Sequence, residues 1–520
     1  MNQETRHAND IFKDFRVQSV SEFFRKNAAM LGYTGKIRSL TTLVHEGVTN
    51  ALDACEDARI LPEIKIEIEE QGTESYRVSV EDNASGIPLN FIPEVFGRML
   101  AGSKAHRNIQ SRGQQGIGIS GAVMYSQVTT GKPSTVITST GDSHIIKCDV
   151  QIDVEHNIGR IVHKKKRSNE EKWRGTKLIF DVKEVLYNKS RYGPYNYLRM
   201  TSISNPHARI TFVEPDGTRV TFERSISTIP KSPKEMKPHP RGITPHDLLL
   251  MARYTDKRAL SSFLLHDFVR ISKARLKEIE NVSGLSMNKR PNKMIWKEAE
   301  SLVKAFKAVK FMAPPTDGLI PIGQENIKKG LESIIQPDFS YTITRSALTY
   351  RGGIPFIIEV GVAYGGNHSS TNGTDIIRYA NGAPLIFDQG GCAITEAVNS
   401  IEWRRYGLKE GDKTPLTVFV NVVSTHIPYT SAGKQAVARE EEIFAEIRNG
   451  IMDAGRSLKS FLRGKRRAYE KKKKRDTLRK YAPETAGALN TLLKRKENSK
   501  TRIENKLYTI ISKKYGESHG

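Results

Sequence analysis

The residues best suited to ligand chemistry fall in one short phrase, LVHEGVTNALDACED, where Glu46, Asn50 and Asp53 stand at i, i+4 and i+7. At 100° per residue they share one face of a helix within about 60°. Leu43, Val44, Val48 and Leu52 flank that face, as though it lined a cleft. The plain alternative is a solvated stripe, but Asn has poor propensity inside a helix, which favours contact with a ligand. A second group closes a strand at the turn DNASGIP. There Asp82 can accept a hydrogen bond from a base amino group and Gly86 lets the backbone come close to a ring; the alternative is an ordinary surface turn. The third group is RGQQGIGISGA, residues 112–122, with Gly113, Gly116 and Gly118 just before an apolar helix. Converging backbone amides and the helix dipole can hold phosphate oxygens there. No Lys followed by Ser or Thr closes this loop, so it is not a Walker loop, and no strand leads straight into it as a dinucleotide fold requires.

The elements that must position these groups are legible from periodicity. Ser19 or Ser21 can cap a short helix over 19–30 containing Phe23 and Phe24, and a longer helix covers 37–59. Strands are expected at 64–68, 76–80, 134–138, 145–152 and 176–182, giving a first α/β domain with helices set against a mixed sheet. Pro230, Pro233, Pro238 and Pro240, mixed with lysines, mark a linker. Residues 245–309 turn helical. A second α/β segment has expected strands at 354–363, 376–386 and 415–424. After Gln435 a helix of about 40 residues, about 60 Å long, carries a narrow seam of Phe444, Ile447, Ile451, Ala454, Leu458 and Phe461. The expected domains are 1–227, 228–310, 311–464 and a basic helical tail, 465–520.

A chain of 520 residues exceeds one hydrophobic core, and its 38% hydrophobic content is that of globular domains. The net charge of +25 favours a polyanion as partner. Residues 465–520 hold eighteen Lys or Arg against six Asp or Glu, which supplies +12 of that total. This tail could equally be a solvated helical end. The apolar run 354–363 is interrupted by Glu359 and is half the ~20 residues of a spanning helix, so no membrane partner is expected. Cys55, Cys148 and Cys392 form no metal-like spacing, and the polar amino terminus is no secretory signal, so a reducing cytoplasm is expected.

The three groups in order, completed by Gly175 and Thr176 in RGTKLIF, resemble the Bergerat ATP-binding fold of gyrase, Hsp90, MutL and histidine kinases. The resemblance implies that Glu46 is the general base on the attacking water, that Asn50 holds Mg2+ through its side-chain amide, that Asp82 reads adenine, and that Asp53 supports the base pocket. One position departs: Ala84 stands where the family turn carries Gly, and its methyl would narrow the pocket. Histidine kinases need a phosphoaccepting His well upstream, and His45 reads as a helix-surface residue. Hsp90 is acidic, whereas this chain is basic.

SEFFRKN, FGRMLAGSK, VMYSQ and KPHPRG are similar to the topoisomerase VI B-subunit family, with the likeness running over about 19–465. That implies a helix-two-turn-helix domain after KPHPRG and a transducer domain marked by IPYTSAGKQAVA. In the latter, Lys434 reaches the terminal phosphate; the alternative is a surface lysine at a helix start. It also implies ATP contacts from Ser103, Lys104, Gln114, Gln115 and Ile117. Lys104 could equally be a solvated lid residue. Trp403, Arg404, Arg405 and Tyr406 resemble a motif near DNA, or else an aromatic covering a strand edge. The implied function is the ATPase half of a type IIB DNA topoisomerase. It acts on double-stranded DNA, homodimerises on ATP binding and joins an A subunit that cleaves, in an A2B2 heterotetramer. The rivals are a mismatch-repair or chaperone-type ATPase clamp, and a nucleic-acid-binding module whose ATP site has decayed.

Overall fold

Leu40, Leu43, Val44, Val48, Ala51 and Leu52 recur at helical spacing, and all six are buried along α1, Lys36–Asp57. In this computed structural model the described residues are 28, 32–99, 108–113, 116, 118–154, 156–367, 374–408, 416–431, 433–493 and 498–515. The helix expected over 19–30 falls outside them except for Ala28. After α1, β1 (Glu63–Gly72) and β2 (Ser75–Asp82) pair antiparallel, and Ile64, Ile66, Ile68, Tyr76, Val78 and Val80 alternate into the core. Gly47 sits where a Cβ would lie 2.8 Å from Cγ2 of Val80, so α1 can lie directly on β2.

Then come α2 (Ile92–Gly97), α3 (Gly118–Thr130), β3 (Ser134–Thr140), β4 (His144–Asp153), β5 (Ile158–Ser168), β6 (Arg174–Lys183), α4 (Pro194–Ser204), β7 (Arg209–Val213) and β8 (Arg219–Phe222). The sheet order is β5-β4-β3-β6-β2-β1-β7-β8, with β1 and β7 its parallel pair. The sequence pattern does not point to β5, because most of its length is exposed on both faces and shows no alternation.

Residues 228–239 hold no helix or strand. A capping box between Thr244 and Asp247, with Pro245 in the first turn, opens α5 (Pro245–Tyr254). With α6 (Leu260–Asp267), α7 (Lys273–Ser283) and α8 (Trp296–Ala308) it encloses a separate core of Leu248, Phe263, Leu264, Ile279, Leu302 and Phe306.

The second sheet follows α9 (Gln324–Ile335). It comprises β9 (Phe339–Thr344), β10 (Leu348–Tyr350), β11 (Ile354–Tyr364), β12 (Thr374–Ala380), β13 (Ala383–Pro384) and, after α10 (Ala393–Asn399), β14 (Leu416–Ser424). Its order is β10-β11-β14-β12-β13, with β9 also on β11. The single strand expected over 376–386 is two, because Asn381 and Gly382 have φ of 50° and 77° and turn the chain into a hairpin. The two sheets share one hydrophobic cluster, in which Leu331, Ile335, Ile377, Tyr379, Phe387 and Phe419 join Leu40, Leu43 and Phe212. Arg38 ties them further, with two hydrogen bonds to Asp388 of 2.8 and 3.1 Å.

The final helices are α11 (Glu441–Leu492) and α12 (Asn498–Tyr515). α11 runs for 52 residues, longer than expected, and begins later because 435–440 belong to a loop. The seam residues Phe444, Ile447, Ile451, Ala454 and Leu458 are buried. The chain forms two compact units: residues 1–401 with 413–452, and residues 402–412 with 453–520. In the second unit Ala482, Ala486 and Ile511 are buried, and Arg479 donates to Ser512 Oγ at 3.1 Å.

Candidate nucleotide site

α1 carries Glu46, Asn50 and Asp53 toward the start of α3 and the segment before it. Asn50 Nδ2 donates to the Glu46 carbonyl at 2.6 Å, which leaves Oδ1 as the acceptor. The Glu46 carboxylate packs on Gly118, where an added Cβ would lie 1.9 Å from Oε2. His45 is not the surface residue its place on α1 suggested. Its side chain is 19% exposed, its ring stands edge-on to Tyr197 at 5.3 Å, and Nε2 lies 4.0 Å from Glu46 Oε1. Burial lowers its pKa, the Glu46 charge opposes that, and the Lys434 charge adds to it.

Asp82 ends β2, and its Oδ1 accepts from the amides of Ala84 at 2.9 Å and Thr176 at 3.2 Å. Both bonds fall on one oxygen, so Oδ2 is left for a donor such as an exocyclic amine. Burial pushes this carboxyl up to about 6, against the two amides that favour its charged form. Two glycines shape the turn around it. A Cβ on Gly175 would meet the Asp82 carbonyl at 2.0 Å, and one on Gly86 would meet the Ser139 carbonyl at 2.1 Å. The close approach at Gly86 is therefore to β3, and fold packing alone accounts for that glycine. Ala84 itself is buried. Thr176 is buried too, with Thr138 Oγ1 at 3.5 Å from its hydroxyl.

Sequence reasoning passed over Arg112, the first residue of the RGQQG string. Its guanidinium donates to Asp53 at 2.7 Å, to Glu56 at 2.9 and 2.8 Å, and to Asn205 at 2.7 Å. His207 stands 3.0 Å from the same Glu56. Burial raises the Glu56 pKa, but Arg112 and His207 outweigh it and hold the carboxyl well below the usual range. Asp53 thus faces a cation of its own chain. A signal was available, since a lone Arg beside a glycine loop and a Glu one turn along from Asp53 are complementary charges. Gly113 has open space where a Cβ would go, and Gly116 has a φ of 62°. Ser103, Lys104, Gln114, Gln115 and Ile117 lie outside the described residues.

The segment leading into the glycine loop is tied to the second sheet. Gln110 Nε2 donates to the Ile320 carbonyl at 2.9 Å, and Ile320 N donates back to Gln110 Oε1 at 2.7 Å. Asn381 Nδ2 donates to the Ser111 carbonyl at 3.0 Å. Lys434 comes from the loop after β14, closed by a bridge between Tyr429 and Val437. The loop is anchored where Gln435 Oε1 accepts from Phe387 N at 3.3 Å. Lys434 has a φ of 52°. Burial lowers its pKa, while the charges of Glu46 and Asp53 act the other way. The charge of Lys434, on the loop that follows β14, is therefore felt by Glu46 and Asp53 of α1.

Comparison with known proteins bears on this arrangement directly. Residues 35–184 match the family of histidine kinase-, DNA gyrase B- and HSP90-like ATPases, and residues 314–474 match the topoisomerase VI B subunit transducer. The chain is 53% identical over 531 residues to the B subunit of type 2 DNA topoisomerase 6 from Pyrococcus horikoshii, covering 93% of each. To its counterpart from Methanothermobacter thermautotrophicus it is 49% identical over 488 residues, covering 92% of each. This chain belongs to the topoisomerase VI B-subunit family.

For a member of the topoisomerase VI B-subunit family, the transducer match covers Lys434 and the first part of α11. Trp403–Tyr406 forms one short 3-10 turn, its two rings 6.1 Å apart. Tyr406 covers a helix, not a strand edge: a Cβ on Gly455 of α11 would lie 2.9 Å from its ring. Cys55, Cys148 and Cys392 are free and buried. No helix among the described residues is long and apolar enough to cross a membrane. Nor do the described residues hold a cluster of three His, Cys, Asp or Glu for a metal.

Proposed function

We propose that this chain binds ATP with Mg2+ and hydrolyses it to drive passage of one DNA duplex through a break that the A subunit makes in another, relaxing supercoils and decatenating DNA. The observation that carries this reading is the ATPase match over residues 35–184 together with the transducer match over 314–474, whose Lys434 feels the charges of Glu46 and Asp53. A bare ATP-binding domain joined to unrelated sequence has no reason to bring a half-buried cation there.

Asp82 Oδ2 accepts from the adenine amine, and Asp53, held by Arg112, supports the wall beside it. Asn50 Oδ1 holds Mg2+, which when bound offsets charge on the phosphate oxygens. Amides of Gly113, Gly116 and Gly118 face the phosphates, joined by Ser103, Lys104, Gln114, Gln115 and Ile117; Thr176 completes the pocket. Glu46 takes the proton of the attacking water, and Lys434 stabilises the negative charge that gathers on the terminal phosphate. Hydrolysis is then felt by the second sheet through Lys434.

In this reading the chain divides at 1–227, 228–310, 311–464 and 465–520, and 245–309 is a helix-two-turn-helix domain. Two copies of the chain close on ATP binding within an A2B2 assembly in the cytoplasm at the nucleoid. The Trp403–Tyr406 turn lies near the DNA. Glu46→Ala tests the core of it. ATP turnover should fall by roughly 10²–10⁴-fold while nucleotide binding persists, because only the base is lost. Turnover at the parental rate would remove the assignment.

A further inference from the structure

β5 holds Arg160, His163, Lys164, Lys165, Lys166 and Arg167 within 11 residues, and no acid. It is an edge strand of the first sheet, and every residue from 162 to 168 is exposed. A half-buried strand would alternate; this one offers both faces and its free edge to solvent. Across the ladder Lys165 stands opposite Lys147 of β4, also exposed. Like charges directly opposite destabilise a sheet, so the pair is not there for folding. Arg160 pairs with Asp153, but among the described residues Lys147, Lys164, Lys165, Lys166 and Arg167 have no carboxylate at ion-pair distance.

The strand is fixed at both ends. A Cβ on Gly159 would meet the Pro93 carbonyl of α2 at 2.1 Å, so the two elements are in close contact. Beyond the other end, the buried Asn169 side chain reaches Ser139 Oγ at 3.1 Å and the carbonyls of Asp142 and Trp173 at 2.8 and 2.9 Å. Side chains on one face of such a strand repeat every ~6.7 Å, and Arg160 to Arg167 spans about 23 Å. Edge lysines also discourage edge-to-edge pairing, yet one or two suffice for that, and four basic residues in succession opposite a fifth exceed the need.

We propose that β5 is a rigid rail for the phosphate backbone of duplex DNA, contacted by Lys164, Lys165, Lys166 and Arg167 with Lys147 beside them. The proposal rests on the reading of this chain as a subunit that acts on DNA. Such contacts hold and orient a duplex without reading its bases.

The test is duplex binding across a salt series by the full chain with its A subunit, comparing parental protein with Lys164→Gln/Lys165→Gln/Lys166→Gln. The slope of log affinity against log salt should become shallower by about 0.9 for each phosphate no longer neutralised, about 2–3 in total. ATP turnover without DNA should stay parental, since none of the three touches the nucleotide site. Lys147→Gln alone should flatten the slope by about one, which guards against a folding defect in the triple variant. If parental protein binds duplex and the triple variant keeps the same slope, the rail is wrong while the DNA reading stands. Failure to bind the A subunit with an unchanged slope would also overturn it. A parental complex that binds no duplex would overturn both.

Discussion

Gly118 and Glu46 touch so closely that any side chain at the first would displace the carboxylate of the second: an ideal Cβ on Gly118 would lie 1.9 Å from Oε2 and 2.7 Å from Cδ of Glu46. A glycine of the proposed phosphate loop is thus also the floor on which the proposed general base rests.

Gly118→Ala should accordingly slow hydrolysis by moving Glu46, with a loss approaching the roughly 10²–10⁴-fold of removing the base outright. Nucleotide binding should change less. Single-turnover hydrolysis beside a nucleotide-binding titration would check this, and parental single-turnover rates would show that Glu46 does not act from this position.

Asp82 predicts a pH dependence. Its carboxyl is raised to about 6 by burial, and only its charged form offers Oδ2 purely as an acceptor. ATP affinity should therefore weaken as pH falls through about 6 and plateau above it. Asp82→Asn should lower affinity by about 1–3 kcal/mol, the cost of a buried polar mismatch, and abolish that pH step. An unchanged titration curve would return Asp82 to the role of a turn residue.

Arg112→Ala would take the guanidinium from Asp53 and Glu56, both largely shielded from solvent, and leave Glu56 with His207 alone, a loss of up to about 3–5 kcal/mol for a broken buried pair. Thermal melting should register it as a large drop in Tm. Because the Glu56 pKa is depressed in the folded chain, its contribution is present above the unfolded carboxyl value and lost as pH falls toward the folded one. The gap in Tm between parent and variant should narrow in strong acid. A gap that stays constant would mean that Glu56 does not titrate against Arg112.

Lys434→Ala should slow ATP turnover by about 10²–10³-fold, as for other single groups that stabilise charge in a transition state. Nucleotide binding should fall less. Relaxation of supercoiled DNA with the A subunit present should drop at least as far as turnover. Parental rates in both assays would sever the second sheet from the chemistry.

The parts of the site that sequence alone determined are those built within one element or one turn. Glu46, Asn50 and Asp53 share a face because helical period fixes their angle, and Asp82 ends a strand because alternation stops at a turn of small polar residues. Gly113, Gly116 and Gly118 declared a loop before an apolar helix in the same way. The chain's membership of its family was equally a property of the string, since SEFFRKN, KPHPRG and IPYTSAGKQAVA need no coordinates.

Tertiary structure alone decided which distant groups meet. Whether Lys434 is a surface lysine or a neighbour of Glu46 depends on a core shared between two sheets, and residues such as Leu331, Ile377 and Phe419 look the same whether they pack locally or across. Arg112 finds Asp53, Glu56 and Asn205 only once α1 and α4 are brought together around it. β5 escaped notice because a strand exposed on both faces has no hydrophobic period, and the run over 376–386 hid its Asn381–Gly382 hairpin because apolar residues flank the turn on both sides. Local propensity is written in spacing along the chain. Contact between distant segments is set by burial, which spacing does not record.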